Sequence, residues 1–254
     1  ADVPAGLLQL GRYSVELEGK PGDREDIVLV TDPSYNFVPG HGGHVWPAAA
    51  ILAQHLLSSS ARPGAKVVEI GAGTGLPGLV LARRGCEVLL TDVPWVLPLT
   101  DYNIQANFSD DDVRRPRTAQ LRWGNDIDAK MVLAALPAPD LAIAADVLYR
   151  AEDFDHFLQT LAALGPREVV LAVAERGGIV DEFLGRLPGY GWRCEVRLSR
   201  NAVLAADTPE VLMLRLRPSS QPIAESPSAQ GRPPPGRRGL GRAAVARRAG
   251  RLRL

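Results

Sequence analysis

Gly71, Gly73 and Gly75 stand at alternate positions straight after the apolar run Val67, Val68 and Ile70, and Gly78 follows three residues on. Glycines that end a strand in this way let the chain turn sharply and let a ligand lie against bare backbone, because no Cβ intervenes. Asp92 closes the next apolar run, Glu87–Asp92, at the separation where an acid accepts from ribose hydroxyls. Asp146 and Tyr149 close a third run that begins at Pro139. A carboxylate at the carboxyl end of a central strand lies where open α/β sheets bind ligands. Trp123 ends another short run, where an indole either stacks on an adenine or packs into the core, and Trp46 precedes Pro47 at the start of a helical pattern.

These residue types point to a nucleotide-containing cofactor, and the glycine turn leaves its identity open. Gly73 to Gly78 also fits the dinucleotide fingerprint, and a ribose-binding acid serves NAD and S-adenosyl-L-methionine alike. A tight structural turn is the third reading. An NAD-linked oxidoreductase predicts a Tyr-x-x-x-Lys or a His/Asp pair downstream, but the only lysines are Lys20, Lys66 and Lys130, none suitably placed. His41 and His44 lack neighbouring acids or cysteines at ligand spacing, so no metal is expected there.

The positioning elements follow from periodicity. Alternating apolar residues over 7–31, with a turn-rich gap at 19–26, predict a small β-hairpin. Pro47 suits the first turn of a helix running to about Ser58. Strand, glycine turn and helix over 66–83 form the first βα unit. Further strands are expected at 86–91, 118–123, 139–149 and 168–174, and helices at 94–107, 152–164 and 179–187. Runs at 192–198 and 211–216 alternate as paired strands, without a long helix between them. The pattern predicts an α/β fold: a Rossmann-like, seven-stranded, mostly parallel sheet with helices on both faces and an antiparallel terminal strand. The expected organisation is a β extension over 1–38, a catalytic domain over 39–217 and a disordered Pro/Arg-rich tail over 218–254.

Hydrophobic residues make up 46% of the chain, enough for a real core. No apolar run approaches a membrane span, and no charged-then-apolar leader opens the chain, which starts at Ala1. Cys86 and Cys194 read as core thiols of a reducing compartment. The net charge of zero hides a division: residues 218–254 hold eight arginines against one acid, Glu225, so the remainder is acidic. An acidic body argues against nucleic-acid binding by the folded part and suits a basic protein substrate.

The stretches Val45-Trp46-Pro47-Ala48-Ala49, Glu69-Ile-Gly-Ala-Gly-Thr-Gly75, Thr91-Asp92, Leu121-Arg-Trp-Gly124 and Ala145-Asp-Val-Leu-Tyr149 occur in fixed order. Together they resemble the seven-β-strand protein methyltransferases of the methyltransferase-like 21 and 23 group (methyltransferase family 16) over about residues 8–217. The resemblance implies S-adenosyl-L-methionine as methyl donor, with Trp46, Gly71, Ala72, Gly73, Asp92, Trp123 and Ala145 lining its site. Glu69 would act through water on the donor's ammonium or fix the loop. Asp146 and Tyr149 match the family's Asp-x-x-Tyr beside the acceptor, where they would orient a lysine or arginine side chain. Tyr149 carries the hydroxyl of the lysine-modifying relatives, while other stretches lean the opposite way, so lysine versus arginine stays open. The expected activity is protein N-methylation by a monomer of the cytoplasm or nucleus. The alternatives are a catalytically silent binding protein of the same fold and a small-molecule methyltransferase.

Overall fold

The computed structural model describes residues 9–16, 24–58, 62–200 and 210–219. Strands β1 (Gln9–Glu16) and β2 (Arg24–Thr31) pair antiparallel. The turn between them, the loop 201–209 and the tail beyond Ser219 lie outside the described residues. The main sheet contains β3 (Lys66–Ile70), β4 (Glu87–Asp92), β5 (Arg117–Gln120), β6 (Leu141–Ala145), β7 (Glu168–Ala174), β8 (Trp192–Arg200) and β9 (Val211–Pro218). Its order is β5-β4-β3-β6-β7-β9-β8. All pairings from β5 to β7 are parallel, and β9 runs antiparallel to both β7 and β8. Among the described residues the last strand, β9, therefore sits inside the sheet, and β8 forms its edge.

Helices α1 (Pro47–Ser58), α2 (Leu76–Arg83), α3 (Leu97–Asn107), α4 (Asp126–Ala135), α5 (Phe154–Leu164) and α6 (Ile179–Arg186) cover the sheet. Strand residues alternate between two cores, as a period of two requires. Val67, Ile143 and Val170 join α1 and α2 in one layer, while Val68, Ala142 and Leu171 meet α4, α5 and α6 in the other. Both faces are covered, so the central strands are apolar throughout.

Several elements are shorter than their apolar runs. β5 ends at Gln120 and β6 at Ala145, so Leu121–Trp123 and Asp146–Tyr149 continue as loops beyond the sheet. Helix α3 begins at Leu97, with Val96 at its N-cap and Pro98 in its first turn. Helix α4 has no counterpart among the elements expected from the sequence. The Asn125 side chain caps it, accepting from the N–H groups of Ile127 and Asp128. Among the described residues, no helix is long and apolar enough to cross a membrane.

Strand order decides where a ligand can bind. The chain leaves β3 for β4 and β5 on one side, then returns to place β6 on the other side of β3. That reversal opens a crevice at the carboxyl ends of β3 and β6.

Candidate active site

The crevice holds a cavity of about 420 Å³, within the range of small-molecule sites. Every residue that the resemblance assigns to the donor or acceptor lines it: Trp46, Glu69, Gly71, Ala72, Gly73, Asp92, Trp123, Ala145, Asp146 and Tyr149.

The glycine turn forms the floor. Gly71, Gly73 and Gly75 have φ of +69°, +54° and +83°, a region that other residues enter only at a cost. A Cβ on Gly73 would stand 3.0 Å from the Gly42 carbonyl, so two backbones meet face to face there. Helix α3 braces the turn from below. Thr100 Oγ1 donates to the Gly73 carbonyl at 2.7 Å, and Asn103 Nδ2 donates to the Thr74 carbonyl at 3.0 Å. Asn103 also exchanges bonds with both backbone groups of Val30, and Asn107 does the same with Val28. These buried polar residues of α3 tie β2, helix and glycine turn into one unit. Their spacing at 100, 103 and 107 on one helical face was the available signal.

Asp92 closes β4 directly over the turn. One carboxylate oxygen accepts from the Gly73 N–H at 2.8 Å and the other from the Val93 N–H at 2.7 Å. Burial pushes its pKa up to about 6, against the pull of those two bonds. Each oxygen retains acceptor capacity toward the cavity, since a carboxylate offers about four lone-pair sites. Glu69 is almost wholly buried beneath. Its Oε2 accepts from the Gly78 N–H at 2.9 Å, which fixes the first turn of α2. Burial pushes its pKa to about 8, with the Asp92 charge adding to the effect, so at pH 7 Glu69 is a neutral acid.

A loop from Asp32 to Trp46 builds one wall. Asp32 is fully buried and accepts from the N–H groups of Asn36, Phe37 and Val38. Burial works to raise its pKa, but those three bonds and His44 hold it below the usual carboxylate value. Its backbone N–H donates to the Gly43 carbonyl at 2.8 Å, closing the loop at its base. The loop delivers His41, His44 and Trp46 to the cavity, and the Trp46 indole N–H donates to the His41 carbonyl at 3.1 Å.

Trp123 borders the opposite wall. Arg122 grips Asp128 through its side chain and backbone, and this pairing holds the Asp128 carboxyl far below its ordinary range despite burial. That clasp fixes the segment, and Trp123 packs edge-on against Phe157 at 5.1 Å.

Asp146 has a φ of +52°, unusual for a residue with a side chain. Both its oxygens accept from Arg176, at 2.9 Å each, in a bidentate pair. Ala174 adds a long backbone bond of 3.3 Å. Arg176, absent from the sequence expectations, lies just past β7 before Gly177 and Gly178, and nothing in local spacing marks it as Asp146's partner. Tyr149 is 46% exposed at the mouth. Burial first, and then Asp153, pushes its phenol above the ordinary value, so it stays protonated at neutral pH.

A family profile described as "Lysine methyltransferase" matches residues 23–188. The chain belongs to this lysine methyltransferase family. It is 36% identical over 122 residues to the histone-arginine methyltransferase METTL23 of Homo sapiens, a match covering 46% of this chain and 60% of that protein. It is 31% identical over 133 residues to the protein N-lysine methyltransferase METTL21A of Xenopus tropicalis, covering 52% and 59%. The chain thus spans under two thirds of the length of these curated relatives. The fold resembles the Pyrococcus abyssi tRNA (uracil-54, C5)-methyltransferase solved with S-adenosyl-L-homocysteine. That likeness has a TM-score of 0.52 at 15% identity, over 81% of this chain and 43% of the other.

Proposed function

We propose that this chain transfers a methyl group from S-adenosyl-L-methionine to a side-chain nitrogen of lysine or arginine in a protein. The observation that carries this is Asp92, which lines the cavity with one carboxylate oxygen held by the Gly73 N–H of the glycine turn and the other by the Val93 N–H. The family match and the relatives' named activities support the same conclusion.

The residues present fit the donor. Backbone at Gly71 and Gly73 leaves room where a Cβ would intrude, and Asp92 can accept from both ribose hydroxyls. Trp123 and Trp46 line the same cavity, and their indoles would pack against the donor's adenosyl group. When bound, the donor supplies an already activated methyl group: its carbon–sulfur bond breaks as the carbon–nitrogen bond forms, leaving a neutral thioether. The protein then has to align the acceptor nitrogen and exclude water. Acceptor lysine must arrive with a free lone pair, and its ammonium form has a pKa of about 10.4. Tyr149, a protonated phenol, serves as a hydrogen-bonding hydroxyl in this setting and not as the base.

Calorimetric titration with S-adenosyl-L-methionine, with NAD in parallel, tests the donor site. Saturable one-to-one binding in the wild type is expected. Asp92→Ala should weaken it by at least about a hundredfold, since two hydrogen bonds to a charged group contribute about 1.5–3 kcal/mol each. Equal affinity in the variant, or preferential NAD binding, would overturn the assignment. Radiolabelled methyl transfer into lysate proteins then separates an active enzyme from a silent binding protein.

A further inference from the structure

A second cavity, of about 390 Å³, lies where β3, β6 and β7 begin, at the opposite end of the sheet from the glycine turn. It shares no lining residue with the donor cavity. Leu56 in the last turn of α1, Leu141 at the start of β6 and Val170 on β7 give it an apolar floor, and all three belong to one core layer. Four charged residues line it as well. Arg62 comes from the loop entering β3, Asp140 directly precedes β6, Glu168 opens β7, and Arg215 on β9 stands across from Val170. Hydrogen-bonding capacity separates these four charges. Glu168 has both oxygens engaged, Oε1 by Arg215 Nε at 3.1 Å and Oε2 by Arg217 at 2.6 Å. Asp140 Oδ2 accepts from the Lys66 N–H at 3.0 Å, and Oδ1 lies 3.6 Å from Arg167. The guanidiniums keep donors in reserve. Arg215 meets Glu168 through Nε, which leaves its terminal nitrogens without a protein partner among the described residues. The Arg62 guanidinium has no partner at all among the described residues, although its carbonyl accepts from the Ala65 N–H and the Cys86 thiol. A guanidinium donates and never accepts, so the unmet capacity of this cavity is positive and donating.

We infer that this second cavity binds a small monocarboxylate with an apolar body. Its carboxylate takes the free donors of Arg62 and Arg215, and its body lies on Leu56, Leu141 and Val170. A carboxylate matches the planar fork of a guanidinium and accepts from it in pairs. A cation finds no open acceptor here, because both acids are already held. A second negative charge on the ligand would be repelled by Asp140 and Glu168, which favours a single carboxylate over a phosphate dianion. The volume is that of a small-molecule site. The inference stands independently of the methyl-transfer reading, since the two cavities occupy opposite ends of the sheet.

The test uses the full chain with ¹³C-labelled leucine and valine methyl groups, so that both cavities are read at once. Hexanoate and phenylacetate are titrated at constant ionic strength, with hexanamide and hexylamine as the neutral and cationic controls. The expected result is a saturable shift of the Leu141 and Val170 methyl signals by the acids, and none at Val93 or Leu121, which line the donor cavity. Hexanamide and hexylamine should bind about tenfold more weakly or less, for want of the charge-assisted bond. Arg62→Gln removes a side chain with no structural partner among the described residues and should weaken hexanoate about tenfold or more, the loss of one hydrogen bond between charged groups. Arg215→Gln should do the same, and Arg62→Gln alone keeps the test readable if Arg215→Gln unfolds. Arg193→Gln alters a charge at the same end of the sheet that does not line the cavity, and it should leave the affinity unchanged. Hexanamide binding as tightly as hexanoate, equal losses in Arg62→Gln and Arg193→Gln, or no saturable shift at Leu141 and Val170 with either acid would each overturn the inference.

Discussion

Replacing Glu69 with glutamine removes a buried titrating group while keeping an oxygen to accept from the Gly78 N–H. Glu69 has a folded pKa of about 8 against an ordinary 4.5. Below pH 4.5 it is protonated in both folded and unfolded chains and its contribution does not vary. Between 4.5 and about 8 the unfolded chain has lost this proton and the folded chain retains it, so rising pH favours unfolding. Each pH unit in that window is worth about 1.4 kcal/mol, tapering near the upper end. From pH 6 to pH 8 the wild type should therefore lose about 2 kcal/mol that Glu69→Gln does not lose. For a domain of this size that corresponds to about 4–8 °C in Tm. The assay is thermal unfolding of both proteins at pH 6, 7 and 8 in matched ionic strength, read as the difference between their melting temperatures. The variant should gain on the wild type steadily as pH rises. A difference that stays constant within about 1 °C across the series would refute a buried neutral Glu69.

Asn103→Ala should leave both backbone groups of Val30 and the Thr74 carbonyl without their side-chain partner, at a cost of about 2–4 kcal/mol in urea unfolding. Donor affinity should fall with it, because the same amide braces the glycine turn. Arg176→Gln should destabilise by about 1–3 kcal/mol. That is below the cost of breaking a fully buried pair, because 40% of the Arg176 side chain is exposed. Chemical denaturation of this variant against the wild type measures it, and an unchanged midpoint would show that Asp146 is held by its backbone alone.

Much of the site was legible because it depends on local chain geometry. A glycine turn after an apolar run, and an acid closing the next run, are neighbours in space through the βα unit itself. Gly73 and Asp92 meet for that reason. The strand-end positions of Trp123 and Asp146 followed from the same logic, although both lie just past the hydrogen-bonded strand and not within it. What sequence could not convey depends on pairing across the fold. Arg176 reaches Asp146 only because β6 and β7 lie side by side. Asn103 and Asn107 look like ordinary polar positions until β2 is laid against α3. Helix α4 was missed because its polar first turn, Asp126 and Asp128, hides a short apolar face formed by Ala129 and Val132.

The contacts of Asn103 and Asn107 have a second consequence, for association. In the pair β1–β2, the side of β2 turned away from β1 would ordinarily offer free N–H and carbonyl groups to any passing strand. At Val28 and Val30 those groups are already taken by side-chain amides, each of which both donates and accepts. An asparagine amide imitates a peptide group closely enough to end the ladder without extending it. The two-stranded sheet is therefore sealed on that side, and a foreign strand that tried to add there would have to displace a helix first.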